Sequence, residues 1–136
     1  MKPIKINHVA IVVKDIDESL DFWVKAFGLE VDHIEDVPSQ ASRVAFLPLG
    51  ESEVELVQPT TADSGMAAYL EKRGEGLHHL CIEVEDIDAA LAHLKALEVR
   101  LINSEPQELP GRKMAFIHPK AANGVLVELY QLTDKA

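Results

Sequence analysis

The chain is written twice, and this repeat restricts its fold more than any other feature. His8-Val-Ala-Ile-Val-Val-Lys-Asp15-Ile-Asp17 lies 71 residues before His79-Leu-Cys-Ile-Glu-Val-Glu-Asp86-Ile-Asp88. The shared letters are His8/His79, Ile11/Ile82, Val13/Val84, Asp15/Asp86, Ile16/Ile87, Asp17/Asp88 and Leu20/Leu91. Further on, Ala45-Phe46 parallels Ala115-Phe116, and Val54-Glu55-Leu56-Val57-Gln58 parallels Val127-Glu128-Leu129-Tyr130-Gln131. The order is kept while the offset drifts by a few residues, as changes of loop length produce. A repeat of this length means one supersecondary unit made twice.

Both copies have the same pattern. Residues 6–13 and 79–84 are rich in Ile and Val and read as strands. A helix follows each. Asp15 stands at an N-cap position, with Glu18 three residues on to reach back to the free backbone amide. The spacing of Ile16, Leu20, Trp23 and Phe27 places them on one helical face, and Gly28 can end that helix. In the second copy the helix starts at Asp86 and carries Ile87, Ala90, Leu91, Leu94 and Leu97. Three strands are expected after each helix, over 29–35, 42–49 and 53–58 and over 99–103, 112–118 and 124–131. Thr61-Ala-Asp63-Ser opens a short linking helix through Met66, Tyr69 and Leu70, and Gly74 and Gly76 close it. The reading is α+β: two tandem βαβββ modules, about 4–59 and 76–132, joined by a linker helix over about 60–75, as a single domain spanning 1–136. Neither module is large enough for a good core of its own, so the two are expected to pack together or to swap with a partner chain. A homodimer is the expected assembly.

Charge and composition narrow the partners. Among 136 residues, 23 acidic and 13 basic side chains leave a net charge of −10. Such a surface repels phosphate backbones, so nucleic-acid binding is not expected. No apolar run reaches the ~20 residues of a membrane span, and with a strand-like pattern from the start no secretory leader is expected. With one cysteine, Cys81, no internal disulfide and no cysteine-built metal site are expected, and Cys81 reads as a small buried residue of its strand. A reducing, cytoplasmic setting fits.

Duplication brings matched positions together about a pseudo-two-fold axis. The polar residues matched inside otherwise apolar strands are His8 with His79 and Glu55 with Glu128. A carboxylate buried among Val and Leu neighbours costs several kcal/mol unless it is compensated, and one divalent cation compensates two at once. Two imidazoles and two carboxylates make a mixed N/O set. It suits cobalt, nickel, manganese, iron or a five- or six-coordinate zinc, with two positions left for water or substrate oxygens. The other histidines fit this pattern less well. His78 precedes His79 in the strand and points to the other face, while His33 and His93 have no matched partner and read as surface or packing residues. No serine or cysteine nucleophile motif and no phosphate loop is present.

These strings resemble the vicinal oxygen chelate superfamily, which includes glyoxalase I, extradiol dioxygenases and the methylmalonyl-CoA epimerases. The likeness to the epimerases covers nearly the whole chain. It rests on Asn7-His8-Val-Ala-Ile, Val44-Ala-Phe-Leu-Pro-Leu-Gly50, Glu53-Val-Glu55-Leu, Gly76-Leu-His-His79, and His118-Pro-Lys120 with Gly124-Val-Leu-Val-Glu128-Leu. The resemblance implies a glyoxalase-like fold, a divalent metal on His8, Glu55, His79 and Glu128, and an acyl-CoA substrate. The implied reaction is epimerisation at C2 of methylmalonyl-CoA through an enolate, with Glu128 as both ligand and base. Two departures stand out. Gln40-Ala41-Ser42 replaces a Gln/His-Gly-Val string, and Val44 stands where some members carry a second catalytic glutamate. Glu55, matched to Glu128 by the repeat, is then the expected counterpart base, with a protonated water relay as the alternative. Gln40, Arg43 and Lys120 are the expected substrate contacts. The ligand set is shared with glyoxalase I, so a lactoylglutathione lyase is the alternative enzyme. A non-catalytic ligand-binding module on the same fold is the alternative without chemistry.

Overall fold

The computed structural model describes residues 1–133. Eight strands and three helices follow one another as β1 (Pro3–Val12), α1 (Ile16–Leu20), β2 (His33–Val37), β3 (Ser42–Leu49), β4 (Ser52–Pro59), α2 (Gly65–Arg73), β5 (Gly76–Val84), α3 (Ile87–Ala96), β6 (Gln107–Leu109), β7 (Arg112–Ile117) and β8 (Val127–Leu132). The βαβββ order therefore occurs twice, as the α+β pair of tandem modules that the repeat implied. Two compact units are present. One runs from Val9 to His78; of the described residues, the other combines 1–8 with 79–133.

In the amino-terminal unit, β1 from Val9 pairs in parallel with β4, β4 antiparallel with β3, and β3 antiparallel with β2. Strand residues alternate between two faces. One face carries Ala45, Leu47 and Leu56, which pack with Val13 and with Ile16, Leu20, Trp23 and Val24 of the first helical segment. The opposite face carries a smaller apolar group of Ala10, Val44 and Val57, packed by Phe46 and Met66. In the carboxy-terminal unit, β5 pairs in parallel with β8, β8 antiparallel with β7, and β7 antiparallel with β6. Its helix-covered face buries Val84, Ala115, Ile117 and Leu129 against Ile87, Ala90 and Leu91 of α3.

The repeat extends to single hydrogen bonds. Asp15 caps α1 by accepting from Glu18 N (3.2 Å), and Asp86 caps α3 by accepting from Ala89 N (3.0 Å). Gln58 Oε1 accepts from Ile16 N at 2.8 Å, and its counterpart Gln131 Oε1 accepts from Ile87 N at 2.9 Å. In both modules a glutamine on the last strand thus holds an amide that the first helical turn leaves without a partner. Ser64 caps α2 in the same manner through Ala67 N.

Five boundaries differ from the sequence expectation. The strand expected over 29–35 is found at His33–Val37, because Leu29 N still donates to Trp23 O of the helical segment. The first helix continues beyond Leu20 as a π-helical stretch, Asp21–Ala26, in which Phe27 N donates to Phe22 O five residues back. The wider turn breaks the 3.6-residue spacing, so Val24 joins the core and Phe27 is left exposed, stacked on exposed Phe22. Leu97 lies past the end of α3 and is exposed. Residues 99–103 form no strand; only Leu101 bridges to Ile117. There the side chain of Asn103 accepts the Phe116 amide at 2.8 Å, a donor that a longer ladder would need, and the first antiparallel partner of β7 is Gln107–Leu109. β8 begins at Val127 rather than at 124, because Gly124 has φ +84° and its amide still closes the preceding turn on Pro119 O.

Candidate metal centre

Sheet alternation selects the site residues. In the carboxy-terminal unit the face opposite α3 carries His79 and Cys81 of β5, Glu128 and Tyr130 of β8, and Met114 and Phe116 of β7. The register places Cys81 beside Glu128, and Phe116 directly across from it. The first residues of β1 add His8, whose ring meets His79 edge-on at 5.4 Å and Tyr130 at 5.3 Å. Phe116 meets His79 edge-on at 5.6 Å. Aromatic rings thus wall the two imidazoles.

Three ligand atoms converge there. His8 Nε2 lies 3.4 Å from His79 Nε2 and 3.3 Å from Glu128 Oε1, and His79 Nε2 lies 3.0 Å from the same oxygen. His8 is 1% exposed and Glu128 3%, so solvent does not satisfy these groups. Burial alone would push the Glu128 carboxyl up. Hydrogen bonds from His79 and then His8, with the charges of both rings, outweigh it and hold the group down at about 2. The remaining ring nitrogen of His8, Nδ1, sits 2.7 Å from Asn7 Oδ1, and Asn7 Nδ2 donates to Glu83 Oε1 at 3.2 Å.

This triangle fits a metal ion. An ion about 2.1 Å from N and O ligands sets neighbouring ligand atoms about 3.0 Å apart at a right angle and about 3.4 Å apart at a tetrahedral angle. The three observed edges fall within those limits. Two imidazole nitrogens and one carboxylate oxygen on one side of an ion are also a recognised set for divalent metals that keep open positions.

The expected quartet is placed as follows. His8, His79 and Glu128 meet in the carboxy-terminal unit. Glu55 is described within the amino-terminal unit, on the β4 face opposite α1, and is buried (8% exposed). Its setting there repeats that of Glu128. Glu55 pairs with Ala10, two residues after His8, and faces Phe46; Glu128 pairs with Cys81, two residues after His79, and faces Phe116. Among the described residues the buried polar side chains are His8, Ser42, Glu55 and Glu128, so the repeat argument selected three of the four. His78 points away and meets Tyr69 of α2. His33 is exposed, between Asp32 and Glu35.

Cys81 is the residue whose place the sequence reading missed. It is fully buried, as expected, but it belongs to the site. Its thiol groups with ligand atoms of His8 and Glu128, all within 4.8 Å of one another. The signal was present in its position two residues after a candidate ligand, which puts it on the same face. Of the expected substrate contacts, Gln40 is exposed in a 3-10 turn, Pro38–Gln40, and Arg43 is half-buried on β3. Lys120 is exposed in a second such turn, Pro119–Ala121. Lys120 and Arg100 both act on His118, which partial desolvation and these two charges hold below its ordinary value.

The profile of the Glyoxalase/Bleomycin resistance protein/Dioxygenase superfamily matches residues 7–116. The mitochondrial methylmalonyl-CoA epimerase of Homo sapiens is 38% identical over 129 residues, covering 93% of this chain and 73% of that protein. The ethylmalonyl-CoA/methylmalonyl-CoA epimerase of Cereibacter sphaeroides is 38% identical over 131 residues, covering 94% and 98%. A solved methylmalonyl-CoA epimerase in complex with methylmalonyl-CoA and NH4+ superposes with a TM-score of 0.90 at 33% identity, covering 98% of each chain. A lactoylglutathione lyase of Arabidopsis thaliana is more distant, at 26% identity and with 43% of its length covered. No helix among the described residues is long and apolar enough to cross a membrane. The chain belongs to the glyoxalase/bleomycin resistance protein/dioxygenase superfamily and, within it, to the methylmalonyl-CoA epimerase family.

Proposed function

We propose that this protein epimerises methylmalonyl-CoA at C2, with His8, His79 and Glu128 holding a divalent ion and Glu55 completing the set. The observation that carries this reading is the buried His8–His79–Glu128 triangle in a chain 38% identical to epimerases over nearly its whole length. Its N/O donor set is compatible with cobalt, nickel, manganese, iron or zinc. When bound, the ion supplies Lewis acidity, which makes a hydrogen between two carbonyl groups easier to remove.

The chain's own residues divide the remaining work. Inversion needs one group to take the C2 proton from one face and another to return a proton to the opposite face. Glu128 is assigned the first proton transfer. Its low pKa keeps it ionised at neutral pH and so able to accept a proton. Val44, where some relatives of this family carry a glutamate, is here a buried apolar neighbour of Val57 and Ala10 and can move no proton. Glu55 is therefore assigned the second transfer, supported by its burial and by the register it shares with Glu128. Phe116 and Tyr130 wall the two imidazoles.

The acyl-CoA carries phosphates into a chain of net charge −10, so local cations must receive them. Lys120 is assigned this role, supported by the second cation, Arg100, beside His118. Arg43, opposite Asp36 and Gln58 in register, and Gln40 are assigned further contacts to the acyl-CoA. We also propose that residues 1–136 act as one domain, since the family profile runs through both modules, and that the protein works as a cytoplasmic homodimer.

The test is solvent exchange. In D2O, the metal-loaded protein should exchange the C2 hydrogen of methylmalonyl-CoA for deuterium and should leave the hemithioacetal of methylglyoxal and glutathione unchanged. The reverse preference would assign the chain to glyoxalase chemistry. Tight binding of acyl-CoA with neither reaction would make it a binding module.

A further inference from the structure

We propose that Glu83, acting through Asn7, sets the tautomer of His8 and so aims the Nε2 lone pair of that ring at the ion site. The inference rests on the metal reading above, and its first readout does not require a metal.

The logic runs from the charged end of the chain of hydrogen bonds. A carboxylate accepts hydrogen bonds and does not donate them. Glu83 Oε1 stands 3.2 Å from the Asn7 amide, so the end of that amide facing it must be the NH2 group. The amide oxygen is then the end facing His8, 2.7 Å from Nδ1. An amide oxygen only accepts, so Nδ1 must carry the proton. With Nδ1 as the fixed donor to Asn7, Nε2 is the nitrogen left to offer a lone pair to an ion; it is the atom facing His79 and Glu128, and any proton it lends Glu128 in the metal-free protein is the one that leaves on metal binding. Glu83 and Asn7 are both half-buried, which favours a fixed arrangement over one exchanged with water. Glu83 lies in β5 beside Tyr130 in register, far from His8 in sequence but brought to the start of β1. The two residue types are not repeated at the matched positions. The position of Asn7 is taken in the second module by His78, which contacts Tyr69 instead, and the position of Glu83 is taken in the first by Val12. Metal-binding histidines depend on a partner at their second nitrogen in this way, and losing that partner costs roughly 10–100-fold in affinity.

Glu83 and Asn7 are thus positioning residues, and the test reverses the polarity of the relay. In metal-free protein labelled with 15N-histidine, long-range 1H–15N correlations show which ring nitrogen carries the proton. Wild type should show His8 protonated on Nδ1. In Glu83→Lys the ammonium can only donate, so the Asn7 amide turns over, offers NH2 to Nδ1, and moves the His8 proton to Nε2. Zn2+ affinity, measured against a chromophoric chelator, should fall by roughly 10–100-fold. In Asn7→Asp/Glu83→Lys the aspartate accepts from both neighbours, so the Nδ1 tautomer and most of the affinity should return. Asn7→Ala, which introduces no charge, should also move the proton to Nε2, where it can be donated to Glu128. A His8 that keeps its proton on Nδ1 in folded Glu83→Lys or Asn7→Ala would overturn the proposal, as would a folded double variant that fails to restore it. Normal tautomers in a protein that binds no Zn2+ would instead count against the metal reading alone.

Discussion

His8 Nε2 and His79 Nε2 lie 3.4 Å apart, two ring nitrogens from equivalent positions of a duplicated unit. Neutral imidazoles do not bring these atoms together unless one carries a proton for the other or both share a third partner. Glu128 Oε1, at 3.3 and 3.0 Å, is close to both. Three ligand atoms are thus concentrated at one point of the carboxy-terminal unit.

Glu128 makes the stability of the metal-free protein depend on acid. Its carboxyl stands at about 2 in the fold, against an ordinary value of 4.5. A depressed carboxyl contributes stability that is fully present above its unfolded value and is lost as pH falls through the folded one. Chelator-treated wild type should therefore lose on the order of 3 kcal/mol between pH 5 and pH 2 from this group. Glu128→Gln should lack that component, so the gap between the two proteins in urea unfolding should change across this window. A gap independent of pH would remove Glu128 as its source.

The glutamines that close the two modules should be equivalent in energy as well as in place. Gln58→Ala frees the Ile16 amide and Gln131→Ala the Ile87 amide. Each should cost about 1–2 kcal/mol in chemical denaturation, and neither should change metal stoichiometry.

His33 is predicted to titrate above its ordinary 6.5. The hydrogen bond that His33 Nδ1 donates to Asp32 at 2.6 Å is the main cause; slight burial opposes it, and Glu35 at 3.0 Å adds to it. Any stability it contributes is present below the unfolded value and disappears as pH rises through the folded one. At this exposed position the contribution is small, so the direct check is an NMR titration. Asp32→Asn should move the His33 midpoint down.

Glu55→Gln should separate metal holding from proton transfer. An amide oxygen still offers a neutral ligand but cannot accept the proton. Metal content should survive, and C2 exchange with inversion should slow by roughly 10²–10⁴-fold, the usual worth of a general base. An unchanged rate would transfer that role to water.

Much of this was visible in the letters. The repeat disclosed the βαβββ order, the helix caps at Asp15 and Asp86, and the His8, His79 and Glu128 cluster, because polar residues held at matched places inside apolar strands need a shared reason. Departures arose where a local hydrogen bond overrides periodicity. The five-residue bond from Phe27 to Phe22 turns Phe27 outward, and Asn103 takes the amide that would have extended a strand through 99–103. Cys81 reads as an ordinary buried residue until the register places it beside Glu128. The Glu83–Asn7–His8 relay is invisible in sequence, because residues 76 apart meet only through the topology of β1 and β5.

The central claim is that His8, His79 and Glu128 hold one divalent ion, and titration of chelator-treated protein with Co2+ tests it most directly. Wild type should bind one ion per chain, with the visible bands of a five- or six-coordinate N/O site. His79→Ala should weaken binding by more than the roughly 100-fold that a supporting residue costs. Absence of Co2+ binding in folded wild type, or binding equally tight in His79→Ala, would contradict the account.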